Sequence, residues 1–187
     1  MEDYFHTIYN DVLHAYDVAS KARAQGFDPE DQVEIPLTLN MSERVVGLVS
    51  VVAPLIKDAG PKIVERIKVL EEQYGVQDWR VALTVAGEVA QQQFCTFATQ
   101  ETAMDVGIRI GIAYVTNGVV SSPLEGFVKL EVRKRKDGGN YLALFFSGPI
   151  RSAGGTGVSL SVLIGDYVRR HFGYGIYDPT EEEAKRR

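Results

Sequence analysis

Phe5, Ile8, Val12, Tyr16 and Ala19 recur at three- and four-residue intervals, and Asp3, His6, Asn10, His14, Asp17 and Lys21 line the opposite face. That period predicts an amphipathic helix. Lys21 and Arg23 suit its C-terminal dipole, and Gly26 is expected to end it. A connector from Gly26 to Asn40 carries Pro29, Pro36 and a short extended run, Val33-Glu34-Ile35. Ser42 reads as the N-cap of a second helix running from Arg44 to Ile56. Gly60-Pro61 resets the chain and places Pro61 at the first position of a third helix, which reaches about Tyr74 and closes at Gly75. Asp78 caps a fourth, in which Val81, Val85, Val89 and Ala82, Ala86, Ala90 make a narrow face of small residues. The fifth, Thr102 to Asn117, is the most apolar. Met104, Ile108, Ile112 and Val115 form one stripe and Val106, Ile110 and Tyr114 another, and only the i,i+4 pair Asp105 and Arg109 is charged. Such a helix belongs in the middle of a bundle, and Gly118 ends it.

Beyond Gly118 the period falls to two. Val128, Leu130 and Val132 alternate with Lys129, Glu131, Arg133 and Arg135, as in a half-exposed strand. Asp137-Gly138-Gly139 reads as a hairpin loop, and Tyr141 to Phe146, free of polar residues, as a second strand buried on both faces. A loop, Ile150 to Thr156, leads into a helix from about Gly157 to Phe172. Asp178-Pro179-Thr180-Glu181-Glu182-Glu183 supplies the cap and acidic first turn of a last helix, which stops after two turns at Arg187 as if cut from a longer protein. The expected fold class is α+β: an N-terminal helical part of four to five helices, then a β-hairpin and a packed α-helix. The expected divisions are 1–40 (first helix and connector), 41–118 (helical domain) and 119–187 (βα module with a truncated C-terminal helix).

Composition narrows the class. A chain of 187 residues with 45% hydrophobic and 24% charged side chains is that of a soluble globular protein rather than a disordered or fibrous one. The longest apolar run, Val45 to Ile56, is broken by Gly47, Ser50 and Pro54 and is too short to span a bilayer. The N-terminus shows no secretory signal. A single cysteine, Cys95, excludes an internal disulfide and fits a reducing, cytoplasmic setting. The net charge of −5 conceals an asymmetry: residues 1–125 hold 9 Lys/Arg against 18 Asp/Glu, and residues 126–187 hold 11 against 7. A basic face for phosphates therefore belongs to the C-terminal third.

Two features there carry chemistry. Between Phe146 and Leu163, Gly154 and Gly155 let the backbone approach a ligand, a helix N-terminus offers free N–H groups, and Arg151, Ser152 and Thr156 add donors. This is a recipe for a phosphate site, with a tight turn for close helix–sheet packing as the competing reading. It is not a Walker A loop, because the spacing is one residue too long and Gly155 stands where lysine is required. Lys129, Arg133 and Arg135 project from one strand face, with Lys134 and Lys136 near the turn. Such a row either holds a nucleic-acid backbone or guards an edge strand against aggregation. Arg169 and Arg170 read as dipole partners, and Asp166, inside an apolar helix, as a buried or interface residue. His6, His14 and His171 lack metal-ligand spacing, Cys95 reads as a buried structural thiol, and Ser121, Ser122, Ser159 and Ser161 have no assignable base. No catalytic constellation emerges.

The runs Tyr141-Leu-Ala-Leu-Phe-Phe-Ser-Gly-Pro-Ile-Arg-Ser-Ala-Gly-Gly-Thr156 and Leu160-Ser-Val-Leu-Ile-Gly-Asp-Tyr-Val-Arg-Arg170 resemble the large subunit of the archaeal D-family DNA polymerases (DNA polymerase II). Ala15-Tyr16, Lys21-Ala-Arg-Ala-Gln-Gly26, Val33-Glu-Ile-Pro36, Thr116-Asn-Gly-Val-Val120, Pro123-Leu-Glu-Gly126 and Pro179-Thr-Glu-Glu-Glu183 agree in order. The departure is Gly157-Val158-Ser159, where a longer polar or alanine-containing helix start is expected. The resemblance implies the N-terminal, non-catalytic region of a replicative DNA-directed DNA polymerase, a nucleotidyltransferase whose metal-binding aspartates and zinc modules lie downstream. It implies DNA and a small subunit with 3′–5′ exonuclease activity as partners, admits a homodimer, and gives no role to a membrane. Magnesium is expected for the full-length enzyme and no cofactor for this region. The Gly148–Thr156 loop and the basic strand match the family pattern, and Lys129, Arg133, Arg135, Arg151, Ser152, Gly154, Gly155 and Thr156 are the candidate nucleic-acid or phosphate contacts within them. The alternative is a pure protein–protein interaction or dimerisation domain. An independent nucleotide-binding enzyme is disfavoured because the phosphate-anchoring lysine and a magnesium carboxylate pair are absent.

Overall fold

Small residues set the centre of the molecule. In the computed structural model, which describes residues 2–27, 37–38, 40–52, 56–116, 126–148 and 155–185, α4 (Trp79–Ala90) and α5 (Gln100–Val115) cross with their backbones in contact. A Cβ at Gly107 would collide with the Ala86 carbonyl oxygen, and one at Gly111 would lie 3.3 Å from the Ala86 Cβ. The face of Ala82, Ala86 and Ala90 is what permits this approach, and all three are buried. The core continues through Val45 and Val49 of α2 (Met41–Val52), Ile63 and Ile67 of α3 (Ile56–Tyr74), Phe127 and Leu130 of β1 (Phe127–Lys134), and Ile164 and Val168 of α6 (Gly155–His171). With α1 (Glu2–Ala24), β2 (Asn140–Phe146) and α7 (Glu181–Lys185), the described residues form seven helices and one two-stranded antiparallel sheet, an α+β fold with five helices ahead of the hairpin. None of these helices is long and apolar enough to cross a membrane.

The helix starts differ in instructive ways. Asp78 caps α4 as predicted, accepting the Arg80 N–H at 2.8 Å. α5 begins at Gln100, two residues before the predicted Thr102, because Thr99 accepts the Thr102 N–H at 3.1 Å. The cap of α2 is Asn40 rather than Ser42. The Asn40 Oδ1 accepts the Glu43 N–H at 3.0 Å while its amide donates to the Glu43 carboxylate at 2.6 Å, a reciprocal pair that outcompetes a lone hydroxyl. Ser42 is instead buried in the first turn.

Pro61 is also not a helix start: α3 opens five residues earlier, at Ile56. An interior proline costs about 3 kcal/mol, whereas burying an aliphatic side chain returns roughly 1.5–3 kcal/mol. Ile56 and Ala59 are both buried, and Gly60 lies close against Val46, so packing on α2 offsets the missing donor. On α1 the predicted face leans inward only in part. Phe5 is buried, Val12, Tyr16 and Ala19 are half-buried, and Ile8 is exposed.

Two expectations for the hairpin change. The alternation predicted for β1 is broken by a bulge: Phe127 pairs with Phe146 and Lys129 with Phe145, so Val128 is the extra residue. The phase therefore slips, burying Phe127 and leaving Val128 exposed, while Leu130 and Val132 still point inward. β2 is not buried on both faces; every one of its residues is half-buried. With one partner strand and one covering helix, only Leu142, Leu144 and Phe146 pack on the core, and α6 approaches so closely that a Cβ at Gly165 would lie 2.7 Å from a Leu144 methyl. The turn places Gly138 at φ +82, and Asp137 accepts the Gly139 N–H, as the Asp-Gly-Gly sequence predicts.

α5 also holds the outer edge of β1 at two points. Glu101 accepts the Val132 N–H at 2.7 Å, and Arg109, itself paired with Asp105 at 2.6 Å, donates to the Val128 carbonyl at 3.0 Å. At α7, Thr180 and Glu183 exchange hydrogen bonds as a capping box, and Asp178 accepts the Lys136 N–H, tying the tail to the hairpin turn.

Candidate nucleic-acid interface

Counting outward from the turn, Arg133 lies across from Tyr141, Glu131 from Ala143 and Lys129 from Phe145. These six share the face turned away from α6, because side chains alternate along a strand. Glu131 takes both flanking cations: its Oε1 is 2.6 Å from the Lys129 Nζ and its Oε2 2.7 Å from an Arg133 guanidinium nitrogen. Hydrogen bonds from Lys129, then Arg133, hold the Glu131 carboxyl below the usual carboxylate range. Both cations also lie over one ring, the Lys129 Nζ 5.1 Å and the Arg133 Cζ 5.0 Å from the Phe145 centroid. Their side chains remain 55% and 48% exposed, so the charges face water. Beside them Tyr141 packs on Tyr177 at 5.1 Å.

Arg135 does not join this row. It lies past the end of the strand, 3.2 Å from Asp137, with its side chain 21% exposed. Its guanidinium lies so tightly on Gly175 that a Cβ there would overlap it, and its buried Nε has no hydrogen-bond partner among the described residues. Arg135 thus packs the hairpin mouth onto the following segment. Lys136 donates from its Nζ to the Pro179 carbonyl at 2.9 Å, and Lys134 is exposed.

Of the glycine loop, Arg151, Ser152 and Gly154 lie outside the described residues, as do Ser121 and Ser122. Gly155, at φ +34, and Thr156 are exposed at the start of α6. Ser159 and Ser161 donate back to the carbonyls of Gly155 and Gly157 at 3.1 and 2.7 Å, the habit of helical serines. Asp166 bridges Arg169 and Arg170 at 2.7 and 2.8 Å. Burial pushes its carboxyl up, but the two arginines outweigh it and leave the carboxyl below its ordinary value. Arg169 also donates to the Tyr174 carbonyl, so it is a structural tie more than a solvated dipole partner.

The remaining candidates lie apart from this face. Cys95 is half-buried, and burial pushes its thiol up against a weaker opposing pull from Lys62, which keeps it protonated near neutrality. His6 and His14 are exposed on α1, and His171 stacks on Tyr167 at 4.6 Å. Among the described residues no three His, Cys, Asp or Glu side chains converge to hold a metal ion.

Sequence reasoning missed the rings of this face. The signal was available in the Asp-Gly-Gly turn, since pairing counted outward from it sets Phe145 against Lys129 and Tyr141 against Arg133.

Residues 3–187 match the family described as DNA polymerase II large subunit DP2, N-terminal. The DNA polymerase II large subunit of Nanoarchaeum equitans is 45% identical over 183 residues, covering 98% of this chain and 15% of that protein. Its counterpart in Methanococcus maripaludis strain C5 is 41% identical over 187 residues, covering 100% and 15%, and that in Thermococcus kodakarensis is 39% identical over 188, covering 100% and 10%. The chain therefore spans about a tenth to a seventh of the length of these relatives.

Proposed function

The chain belongs to the DNA polymerase II large-subunit family, as its N-terminal region, and on that premise we propose that it is a non-catalytic module of a replicative DNA-directed DNA polymerase that guides primer–template DNA across the outer face of the hairpin. The observation that carries this reading is the pair Lys129 and Arg133, held on one exposed face over Phe145 with about half of each side chain open to water. Cations placed this way suit phosphate oxygens, and each phosphate they neutralise releases a counterion.

Arg135 serves the reading indirectly, by fixing the hairpin on the segment after α6. The loop of Arg151, Ser152, Gly154, Gly155 and Thr156 is a second phosphate cradle in this proposal, supported by the exposure of Gly155 and Thr156 at a helix N-terminus. Magnesium chemistry belongs to other parts of the polymerase.

The test is DNA affinity across a salt series. Lys129→Ala and Arg133→Ala should each weaken duplex binding at every salt concentration and flatten the dependence of log K on log salt by about 0.9, the contribution of one phosphate. Affinities and slopes equal to the parent in both variants would overturn the guiding role.

A second reading, assembly with the small exonuclease subunit, is favoured by α1, which exposes Tyr4, Ile8, Tyr9, Leu13 and Val18. Tyr9→Asp with Leu13→Asp should abolish co-purification with that subunit. Undiminished recovery would exclude α1 as the contact.

A further inference from the structure

The outward face of the hairpin holds more than charge, and its rings have no work in packing the core. Phe145 and Tyr141 lie four residues apart on β2, so their rings are spaced by roughly 13 Å along the strand. Phe145 lies beneath the ammonium of Lys129 and the guanidinium of Arg133. Tyr141 is backed by Tyr177, which is itself 40% exposed. If the cations alone mattered, this face would need no aromatic residues; a lysine row on a polar strand would attract a duplex equally well.

From this juxtaposition we infer that the hairpin face is a stacking platform for single-stranded nucleic acid: phosphates draw Lys129 and Arg133 off the Phe145 ring, and Phe145 and Tyr141 then take unpaired bases. The inference rests on the nucleic-acid reading above and specifies its substrate. A duplex keeps its base faces stacked on one another, so it meets only the cations; a single strand can lay bases on rings and on the arginine plane. Glu131 gives the face its threshold. Its carboxylate occupies both cations in the free protein, at 2.6 and 2.7 Å, and phosphate oxygens must displace it. Charge alone is therefore a weak attraction here, and stacking supplies the difference between a strand that stays and one that leaves.

The experiment uses the 187-residue chain with a fluorescein-labelled oligothymidylate and a duplex of equal length, followed by anisotropy over a salt series. The single strand should bind more tightly than the duplex. Phe145→Leu, which keeps the apolar bulk and removes the ring, should weaken single-strand binding about tenfold and shrink the preference over duplex by a similar factor. Glu131→Gln should tighten binding to both forms. If Lys129→Ala and Arg133→Ala weaken binding while Phe145→Leu leaves the single-strand preference intact, the platform is overturned and the phosphate reading stands. If neither cation variant changes affinity, both fall. Photocross-linking of a bromodeoxyuridine-substituted strand to the parent chain avoids any dependence on variant folding. The adduct should map to the peptide bearing residues 141–145, and an adduct confined to other peptides overturns the inference.

Discussion

The α4–α5 crossing and the outer face of the hairpin are built from opposite materials. At the crossing, glycine and alanine bring two backbones together until no added carbon has a place. On the hairpin, lysine, arginine and phenylalanine lie over one another with water on their far side. The first region gains from what is missing, because each absent side chain lets α5 sink deeper into the core. The second gains from what reaches outward, and its long side chains contribute little to folding. On the proposed reading, stability and ligand recognition fall to different surfaces of one small fold, and a substitution should disturb one with little effect on the other.

The sharpest way to break that comparison is Gly107→Val. Its Cβ meets a backbone oxygen that cannot rotate away, so the cost should be roughly 3 kcal/mol, at the upper end for overpacking, seen as a lower urea midpoint. Gly47→Ala, at an exposed position of α2, meets nothing within 4 Å and should instead raise stability by up to about 1 kcal/mol. Equal midpoints for the two variants would show the crossing to be looser than described.

Tyr114→Phe comes next. This buried hydroxyl donates to Glu71 at 2.8 Å and accepts the Gln77 N–H at 2.9 Å, and burial followed by Glu71 keeps it protonated far above neutrality. Its removal should cost about 1–2 kcal/mol by the same measurement. Arg133→Ala should leave the thermal midpoint within error of the parent while weakening DNA binding; a large fall in midpoint would mean the hairpin face is part of the core after all.

The smallest effect is a pH dependence at Asp78. Arg80, through its side chain and then its backbone N–H, lowers this carboxyl to about 2 from an ordinary 3.8. A depressed folded value means the stabilising contribution is complete above the unfolded pKa near 4 and fades as pH falls toward 2. Carboxyl NMR should show this group titrating at about pH 2 rather than 3.8, and Asp78→Asn should remove that segment of the acid-unfolding curve.

Periodicity was a good guide wherever a single element decided the outcome. The small-residue face of α4, the apolar wrap of α5, the Asp78 cap and the Asp-Gly-Gly turn all follow from local rules and reappear as predicted. It failed where two elements had to be weighed together. Asn40 displaced Ser42 as a cap because Glu43 was there to answer it, and Pro61 entered a helix interior because α2 was there to cover Ile56 and Ala59. At the candidate site, the alternation in β1 marked Lys129 and Arg133 as outward, but not that Glu131 would claim both or that Arg135 would turn aside onto Gly175. The first outcome depends on side-chain reach along one face of β1, which the two-residue spacing permits without dictating, and the second on a segment some forty residues downstream, which leaves no trace in spacing.

The clasp that Glu101 and Arg109 place on β1 has a counterpart across the ribbon. Beside β2 the Asn140 carbonyl accepts the Gly175 N–H at 2.8 Å. A strand joining either flank would have to release a bond already made there.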